Sequence, residues 1–283
     1  GGNVSINITA QGNRVVISPA SLGRCVPFTV IVSDGFKNEF GISGGSSWQF
    51  RSRTICQTVF SIGSSVQGRS ITAYRFGNGP SKIIFVGGTH GDERSSVQIL
   101  NKWVDQLENN PDRIPAHQTI IVIPTINPDG YAANRRTNAN NVDLNRNFPA
   151  NNWKPGVTMP DKSYLEHGGG TEPLSEPESR ALANYVLSQS PRLVLTYHAA
   201  GSVVVPNGSG DSNAIAIEYG KKSTVGYMSN SQTGTFFEYD TTGAFEDWLH
   251  DKHSIPTLLI ELSSRTSNDY SGHQTALWYI AGL

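Results

Sequence analysis

The chain has 283 residues, which is enough to bury a full hydrophobic core in one large domain, with or without a small second domain. Its 22 basic and 23 acidic side chains nearly cancel, so the charge balance argues against nucleic acid or an anionic membrane surface as a partner. No apolar stretch is long enough to span a bilayer. Because only 16% of the residues are charged, we expect an exported protein, secreted or in the periplasm or cell envelope, whose signal peptide lies outside the chain.

The N-terminal residues, up to about residue 60, predict short alternating β-strands. Phe28, Val30 and Val32 would point to one side of such a strand, and glycine-containing turn signals separate the strands from one another. We therefore expect a small all-β, sandwich-like lobe over residues 1–60. Such a lobe could be a binding module for the cell wall or for carbohydrate, or a structural cap on the following domain.

The two cysteines of the chain, Cys25 and Cys56, both lie in this N-terminal region. Zinc ligation would require a close cysteine pair with nearby histidines, which the segment lacks. A disulfide and two buried free thiols therefore remain the two interpretations.

From about residue 61 onward the sequence predicts strands separated by helices. The apolar run Lys82–Val86 is followed by a helix with one apolar stripe, formed by Val97, Leu100, Val104 and Leu107. Further strands of the buried type are predicted at 119–123, 193–197 and 257–262. Continuous apolar runs joined by helices are typical of a sheet that is covered on both faces. We expect an α/β domain over residues 61–283, with a mixed, largely parallel twisted sheet and helices on both faces.

A helix start is predicted at Ser175-Glu176-Pro177-Glu178. Serine followed three residues later by glutamate fits a capping box, and proline fits the first turn of a helix. Ser175 is therefore the expected N-cap.

Polar residues with metal-binding chemistry follow several of the predicted strands. His90 and Glu93 come just after Val86, His198 ends the third of these strands, and Glu261 ends the last one. Ligand sites of open α/β sheets lie at the carboxyl ends of the strands. A hydrolytic zinc site needs three protein ligands, a carboxylate outside the ligand set as base, and a cation for the developing oxyanion. The sequence offers candidates for each role.

The chain resembles the zinc carboxypeptidases of the carboxypeptidase A type. The resemblance extends from about Ser61 to Leu283 and leaves the N-terminal lobe outside. It is carried by six matching stretches in order along the sequence: Thr89–Glu93, Asn127–Tyr131, Val142–Pro149, Thr196–His198, Gly243–Trp248 and Leu258–Leu262.

This resemblance implies a carboxypeptidase-like fold and one zinc ion per chain. His90, Glu93 and His198 would be the zinc ligands, and Glu261 would be the general base and later the proton donor. Asp143 would accept a hydrogen bond from a ligand histidine and fix its tautomer.

The resemblance also assigns substrate-binding roles. Asn145 and Arg146 match the pair that binds the terminal carboxylate of a peptide. Tyr239 matches the mobile tyrosine that closes over bound substrate. A further arginine of the family faces the oxyanion, and Arg135 and Arg136 both lie in range. We select Arg136, because the residues that follow it resemble the bacterial branch.

Glu246 falls on the position at the floor of the pocket for the C-terminal side chain. In the family an acidic residue there accompanies basic substrates, which implies a cationic group in the leaving residue. The alternative interpretation is a solvated glutamate at a helix start, stabilised by the helix dipole.

The departures from the digestive members favour a bacterial cell-wall peptidase. Asp92 stands where those enzymes have an arginine, and Ala199-Ala200-Gly201 follows the second histidine, where they carry a serine and a tyrosine. The favoured substrate is a peptidoglycan stem peptide ending in diaminopimelate. The alternative is removal of C-terminal Lys or Arg from ordinary peptides, and a remote one is a non-catalytic protein that binds the wall or carbohydrate. We expect a monomer.

Overall fold

The computed structural model describes residues 6–11, 14–19, 27–32, 48–53, 57–232 and 236–283. The chain divides into two compact units, Gly1–Gln57 and Thr58–Leu283. The described residues of the first unit include two antiparallel hairpins. These pair β1 (Ile6–Gln11) with β2 (Arg14–Pro19), and β3 (Pro27–Val32) with β4 (Trp48–Arg53). The sandwich arrangement and the boundary at residue 60 stay predictions. Cys25 and Cys56 lie outside the described residues.

The second unit contains a mixed eight-stranded sheet. Its strand order is β13-β12-β14-β11-β7-β8-β6-β5. The four central strands β14, β11, β7 and β8 run parallel, and β12 and β6 flank them in the antiparallel direction. The bounds are β5 (Gln57–Ser64), β6 (Ser70–Gly77), β7 (Ser81–Val86), β8 (Gln118–Ile123), β11 (Leu193–Ala199), β12 (Val203–Pro206), β13 (Gly226–Tyr227) and β14 (Thr257–Leu262). A separate small hairpin pairs β9 (Val157–Thr158) with β10 (Tyr164–Leu165).

Helices cover both faces of this sheet, as the sequence predicts. The helices of the described residues include α1 (Arg94–Asn109), α2 (Pro128–Ala133), α3 (Pro177–Gln189), α4 (Ser212–Lys221), α5 (Phe245–His253) and α6 (Tyr270–Ala281). One hydrophobic cluster joins α1, α4 and α6 to the sheet, and a second one joins α3 and α5 to the opposite face. Within the described residues, no helix combines the length and the apolar character that crossing a membrane requires.

The predicted stripe of α1 is confirmed, because Val97, Leu100, Val104 and Leu107 are all buried. The capping box predicted for α3 is wrong. The N-cap is Glu176 rather than Ser175, although Pro177 does occupy the first turn. The Ser175 hydroxyl bonds to the Glu176 carboxylate instead, and Glu178 accepts from the backbone of a distant turn at Val66. The Glu178 carboxylate is thus bound by a distant segment of the chain instead of by the N-terminus of its own helix.

The strand register brings the polar strand ends together at one edge of the sheet. β11 pairs with β14 so that His198 lies directly opposite Glu261. β7 is the other neighbour of β11, and the loop that follows β7 carries His90 and Glu93. Because these strands are parallel, their carboxyl ends share one edge, where sites of α/β sheets are formed.

Candidate active site

Three buried side chains, His90, Glu93 and His198, meet at this edge. One potential ligand atom from each lies within 4.8 Å of the others. His90 Nδ1 is 2.8 Å from Glu93 Oε1, and His198 Nδ1 is 3.2 Å from Glu93 Oε2. The two imidazole Nδ1 atoms are 3.2 Å apart. The loop between β7 and α1 therefore presents two of these groups, and β11 presents the third.

The spacing of these atoms fits a zinc ion. Tetrahedral zinc with bonds of about 2.0–2.1 Å puts its ligand atoms about 3.3 Å apart. The two Nδ1 atoms match this separation, and two histidines with one carboxylate are a donor set that zinc uses when it keeps a position open for water or substrate. The cluster can therefore hold the metal that the sequence predicts.

Each histidine also has a carboxylate near its other nitrogen, one at hydrogen-bond distance and one slightly beyond it. His90 Nε2 is 3.0 Å from Asp143 Oδ1, as the sequence predicts. His198 Nε2 lies 3.7 Å from Glu246 Oε1. Burial alone would raise the pKa of Glu246, but His198 and the hydroxyl of Thr196 lower it to about 2. Both imidazoles are thus oriented so that Nδ1 faces the centre of the cluster.

Arg136 lies beside this cluster. Its Nε donates to Asp143 Oδ2 at 2.8 Å, and its Nη1 donates to Glu93 Oε1 at 3.2 Å. Although burial would raise the pKa of Asp143, Arg136 holds it well below its usual range. Arg135 instead donates to the backbone oxygen of Asn138. Of the two arginines, only Arg136 is therefore turned toward the predicted metal ligands.

A pocket of about 630 Å³, open to solvent, lies next to the cluster. Among the predicted site residues, Glu93 and Asp143 do not line it, whereas eight others do: His90, Arg136, Asn145, Arg146, His198, Tyr239, Glu246 and Glu261. The folded chain thus brings the predicted site residues together.

Asn145 and Arg146 are buried at one side of the pocket, in a short 3-10 turn that begins after Asp143. Asn145 Oδ1 accepts from the backbone N–H of Phe245 at 2.9 Å, which fixes the orientation of the amide. Arg146 Nε donates to the Asp240 carbonyl at 2.7 Å, and Nη1 donates to the Asn145 carbonyl at 2.6 Å. Among the described residues, no hydrogen bond occupies the other N–H groups of this guanidinium, which can therefore bind a carboxylate.

Tyr239 lies over both pocket arginines. Its ring centroid is 5.9 Å from Cζ of Arg136 and 5.8 Å from Cζ of Arg146. The residue after it, Asp240, is bound through its carboxylate by Lys154 and by the backbone N–H of Thr158.

Neither Asp240 nor Thr196 was identified from the sequence. Thr196 could have been found by strand alternation, since it shares a face of β11 with His198.

Glu261 is buried beside the cluster but outside the group of three ligands. Burial, together with the nearby negative charge of Glu93, raises its pKa to about 7. A carboxylate with a raised pKa can both take and return a proton near neutral pH.

The Asn127–Tyr131 stretch positions the loop that carries His90. Asn127 Nδ2 donates to the backbone oxygens of Thr89 and Arg136, and its Oδ1 caps α2 at Gly130. Gly91 packs so tightly on this turn that a Cβ atom there would lie 2.0 Å from the backbone carbon of Gly130. This stretch thus supports the site without lining it.

Comparison with known proteins gives a clear family match. The family model described as zinc carboxypeptidase matches residues 51–277. Murein peptide amidase A of Escherichia coli strain K12 is 34% identical over 177 residues, which are 59% of this chain and 66% of the relative. Gamma-D-glutamyl-L-diamino acid endopeptidase 1 of Lysinibacillus sphaericus is 25% identical over 247 residues, 73% of this chain and 60% of the relative. The chain thus spans about two thirds or less of these relatives.

A solved structure gives the same result for the fold. The murein-tripeptide amidase MpaA from Escherichia coli O157 superposes with a TM-score of 0.59 and 26% sequence identity. The match covers 79% of this chain and 90% of that one. The catalytic unit therefore has the carboxypeptidase-like α/β fold.

Proposed function

The chain belongs to the zinc carboxypeptidase family, and from this we propose that it removes a C-terminal diaminopimelate from a peptidoglycan stem peptide. The names of the murein peptide amidases and of the murein-tripeptide amidase support this substrate class. A substrate of this kind implies that the enzyme works at the cell envelope, either in the periplasm or after secretion.

One observation carries this proposal: Arg146 and Glu246 line the same pocket beside the predicted zinc ligands. The diaminopimelate residue has a carboxylate next to the scissile amide and an ammonium group at the far end of its side chain. Arg146 would bind the carboxylate as a planar fork, and Glu246 would bind the ammonium group. The burial of both side chains would strengthen these contacts.

One zinc ion per chain would be held by His90, Glu93 and His198. When bound, it supplies Lewis acidity at the scissile carbonyl. Glu261 removes the proton from the attacking water and passes it to the leaving nitrogen. Arg136 faces the oxyanion that develops during attack.

Asn145 and Arg146 would make the enzyme an exopeptidase. An internal peptide bond offers them no carboxylate, so these buried donors would stay without partners. Tyr239 would close over the bound residue and exclude water from it.

The second candidate is a carboxypeptidase for C-terminal Lys or Arg, which the acidic side chain of Glu246 also favours. A γ-D-glutamyl-diaminopimelate tripeptide and a Lys-terminated peptide of equal length separate the two, with released amino acid as the readout. We expect turnover of the tripeptide. Turnover of the Lys-terminated peptide alone would replace the first proposal with the second.

A non-catalytic wall-binding or carbohydrate-binding role is the remaining alternative, in which the N-terminal lobe, residues 1–60, would anchor the chain. The presence of both the base and the full ligand set speaks against the loss of catalysis. Metal analysis tests this directly: one zinc per chain, removed by a chelator together with the activity, is the expected result. A protein that binds wall fragments without zinc or turnover would contradict the proposal.

A further inference from the structure

An ion pair joins two loops at the carboxyl edge of the sheet. Arg265 lies in the loop after β14, and Asp92 lies between His90 and Glu93 in the loop after β7. Arg265 Nη1 is 2.5 Å from Asp92 Oδ2. The backbone oxygen of Arg265 also accepts from the N–H of Ser95 at 2.9 Å, which ties this loop to the first turn of α1.

Arg146 and this ion pair belong to segments that pack toward opposite faces of the sheet. The segment with Arg146 packs among the residues that join α3 and α5 to one face of the sheet. Arg265 contacts the start of α1, which packs on the other face. Of the predicted zinc ligands, His198 shares a face of β11 with Thr196, which bonds to Glu246 on the α5 side, whereas Glu93 lies at the start of α1 on the other side. A peptide whose terminal carboxylate reaches Arg146 and whose scissile bond lies at the ligands would therefore extend its acyl side toward Arg265.

Arg265 has N–H donors that its contact with Asp92 does not occupy. Its side chain is 41% exposed, and its one side-chain hydrogen bond to a described residue goes to Asp92. A guanidinium group carries five N–H donors in a planar fork, so one edge can bind Asp92 while another binds a second carboxylate. Asp92 thus orients the group without using all of it.

We propose that Arg265, oriented by Asp92, binds the free α-carboxylate of a γ-linked glutamyl residue on the acyl side of the scissile bond. In such a residue the chain runs through the side-chain carbonyl, so the α-carboxylate stays free, a few bonds from the reacting carbon. An ordinary α-linked peptide has no carboxylate at that place. This inference rests on the proposed function and makes Arg265 a determinant of specificity for γ-glutamyl substrates.

The test compares two substrates that differ at one group. One is L-alanyl-γ-D-glutamyl-diaminopimelate, and the other is the same tripeptide with the α-carboxylate converted to a carboxamide. Since a charge-assisted hydrogen bond is lost with the amide, wild-type kcat/KM should be about tenfold higher for the acid. Arg265→Gln should lower kcat/KM for the acid by a similar factor and leave that for the amide unchanged. Arg265→Lys, which keeps the charge without the fork, should retain part of the preference.

Exposed Arg180 on α3 provides the matched control, because Arg180→Gln should leave the ratio of the two substrates as in the wild type. Zinc content and Tm, measured for every variant, separate a loss of folding from a loss of recognition. Equal turnover of acid and amide by the wild type would overturn the inference while leaving the proposed function intact. A preference for the acid that remains in Arg265→Gln would also overturn the inference and leave the proposed function intact. If neither substrate is hydrolysed by the zinc-loaded wild type, the proposed function itself fails, and the inference fails with it.

Discussion

The carboxylate of Glu246 faces Nε2 of His198 at 3.7 Å, while Nδ1 of the same imidazole faces Glu93. Asp143 stands in the same position behind His90, at the shorter distance of 3.0 Å. A carboxylate behind a metal-bound histidine typically contributes 10–100-fold to metal affinity. Glu246→Gln should therefore weaken zinc binding by a factor in this range, measured by competition with a chelator in the absence of substrate. Exposed Glu166→Gln is the control, and unchanged affinity in Glu246→Gln would show that this carboxylate serves the pocket alone.

Glu261→Gln should separate metal binding from catalysis. Glutamine keeps the shape of the side chain but cannot accept the proton of the attacking water. We expect normal zinc content and a loss of several orders of magnitude in kcat, measured by product release under saturating substrate. Near-normal turnover would remove Glu261 as the base.

Arg146→Gln should reduce the requirement for a free C-terminus. The variant should lose about 10- to 100-fold in kcat/KM on a peptide with a free terminal carboxylate, because charge-assisted hydrogen bonds to that group are lost. The same peptide with an amidated C-terminus should be turned over slowly and equally by wild type and variant. A uniform decrease on both peptides would instead indicate a structural role for Arg146.

Gly91→Ala should displace the loop that carries His90. The added Cβ would lie 2.0 Å from the backbone carbon of Gly130, so one of the two turns must move. We expect weaker zinc binding and a loss of about 1–3 kcal/mol in the free energy of unfolding, as measured by urea titration. Gly226→Ala is the control, since the nearest atom to its Cβ is 4.0 Å away. Equal zinc affinity for the two variants would contradict the loop's role.

Asp129→Asn should destabilise the protein in a pH-dependent way. Burial would raise the pKa of Asp129, but the Gln67 N–H, the Arg69 guanidinium and the Ser65 hydroxyl bind its carboxylate and lower it. A depressed acidic pKa stabilises the fold above the unfolded pKa of about 3.9, and this contribution is lost as the pH falls through the folded value. We therefore expect Asp129→Asn to lower the free energy of unfolding by about 1–2 kcal/mol at pH 7 and by less below about pH 4.

Urea titration of the metal-free proteins measures this difference without interference from zinc. Asp105→Asn serves as the control, because that side chain is 62% exposed and its nearest cation, Lys102, is 4.0 Å away. If Asp129→Asn lowers the free energy of unfolding equally from pH 7 to pH 3, the negative charge of Asp129 does not stabilise the fold.

The strand pattern could place the predicted ligands and the predicted base at one edge of the sheet, and the family resemblance supplied their roles. Buried apolar runs mark the strands, so residues near their ends, such as Glu261 at the end of β14 and His90 in the loop after β7, must lie at the carboxyl edge of the sheet. The side-chain pairings are a different case. Asp92 and Arg265 are separated by 173 residues, and Glu246 reaches His198 from a helix on a face of the sheet. Such pairings depend on how the loops and helices pack together, and the hydrophobic periodicity of the sequence does not encode that packing.

The incorrect prediction of an N-cap at Ser175 also arises from tertiary contacts that the local sequence does not encode. A capping box is a local preference of modest free energy, about 1 kcal/mol. Here Glu178 is fully buried and bonds to Val66 and Asn138 from elsewhere in the chain. Tertiary partners of this kind override the local signal.

The direct opposition of His198 and Glu261 on neighbouring parallel strands has an evolutionary consequence. Their separation is set by the backbone hydrogen bonds of the sheet, which keep adjacent strands about 4.8 Å apart. The groups that would select the substrate, such as Tyr239 and Arg265, lie on loops outside these strands. Mutations in the loops can therefore change substrate recognition while the distance between the predicted ligand and the predicted base stays constant.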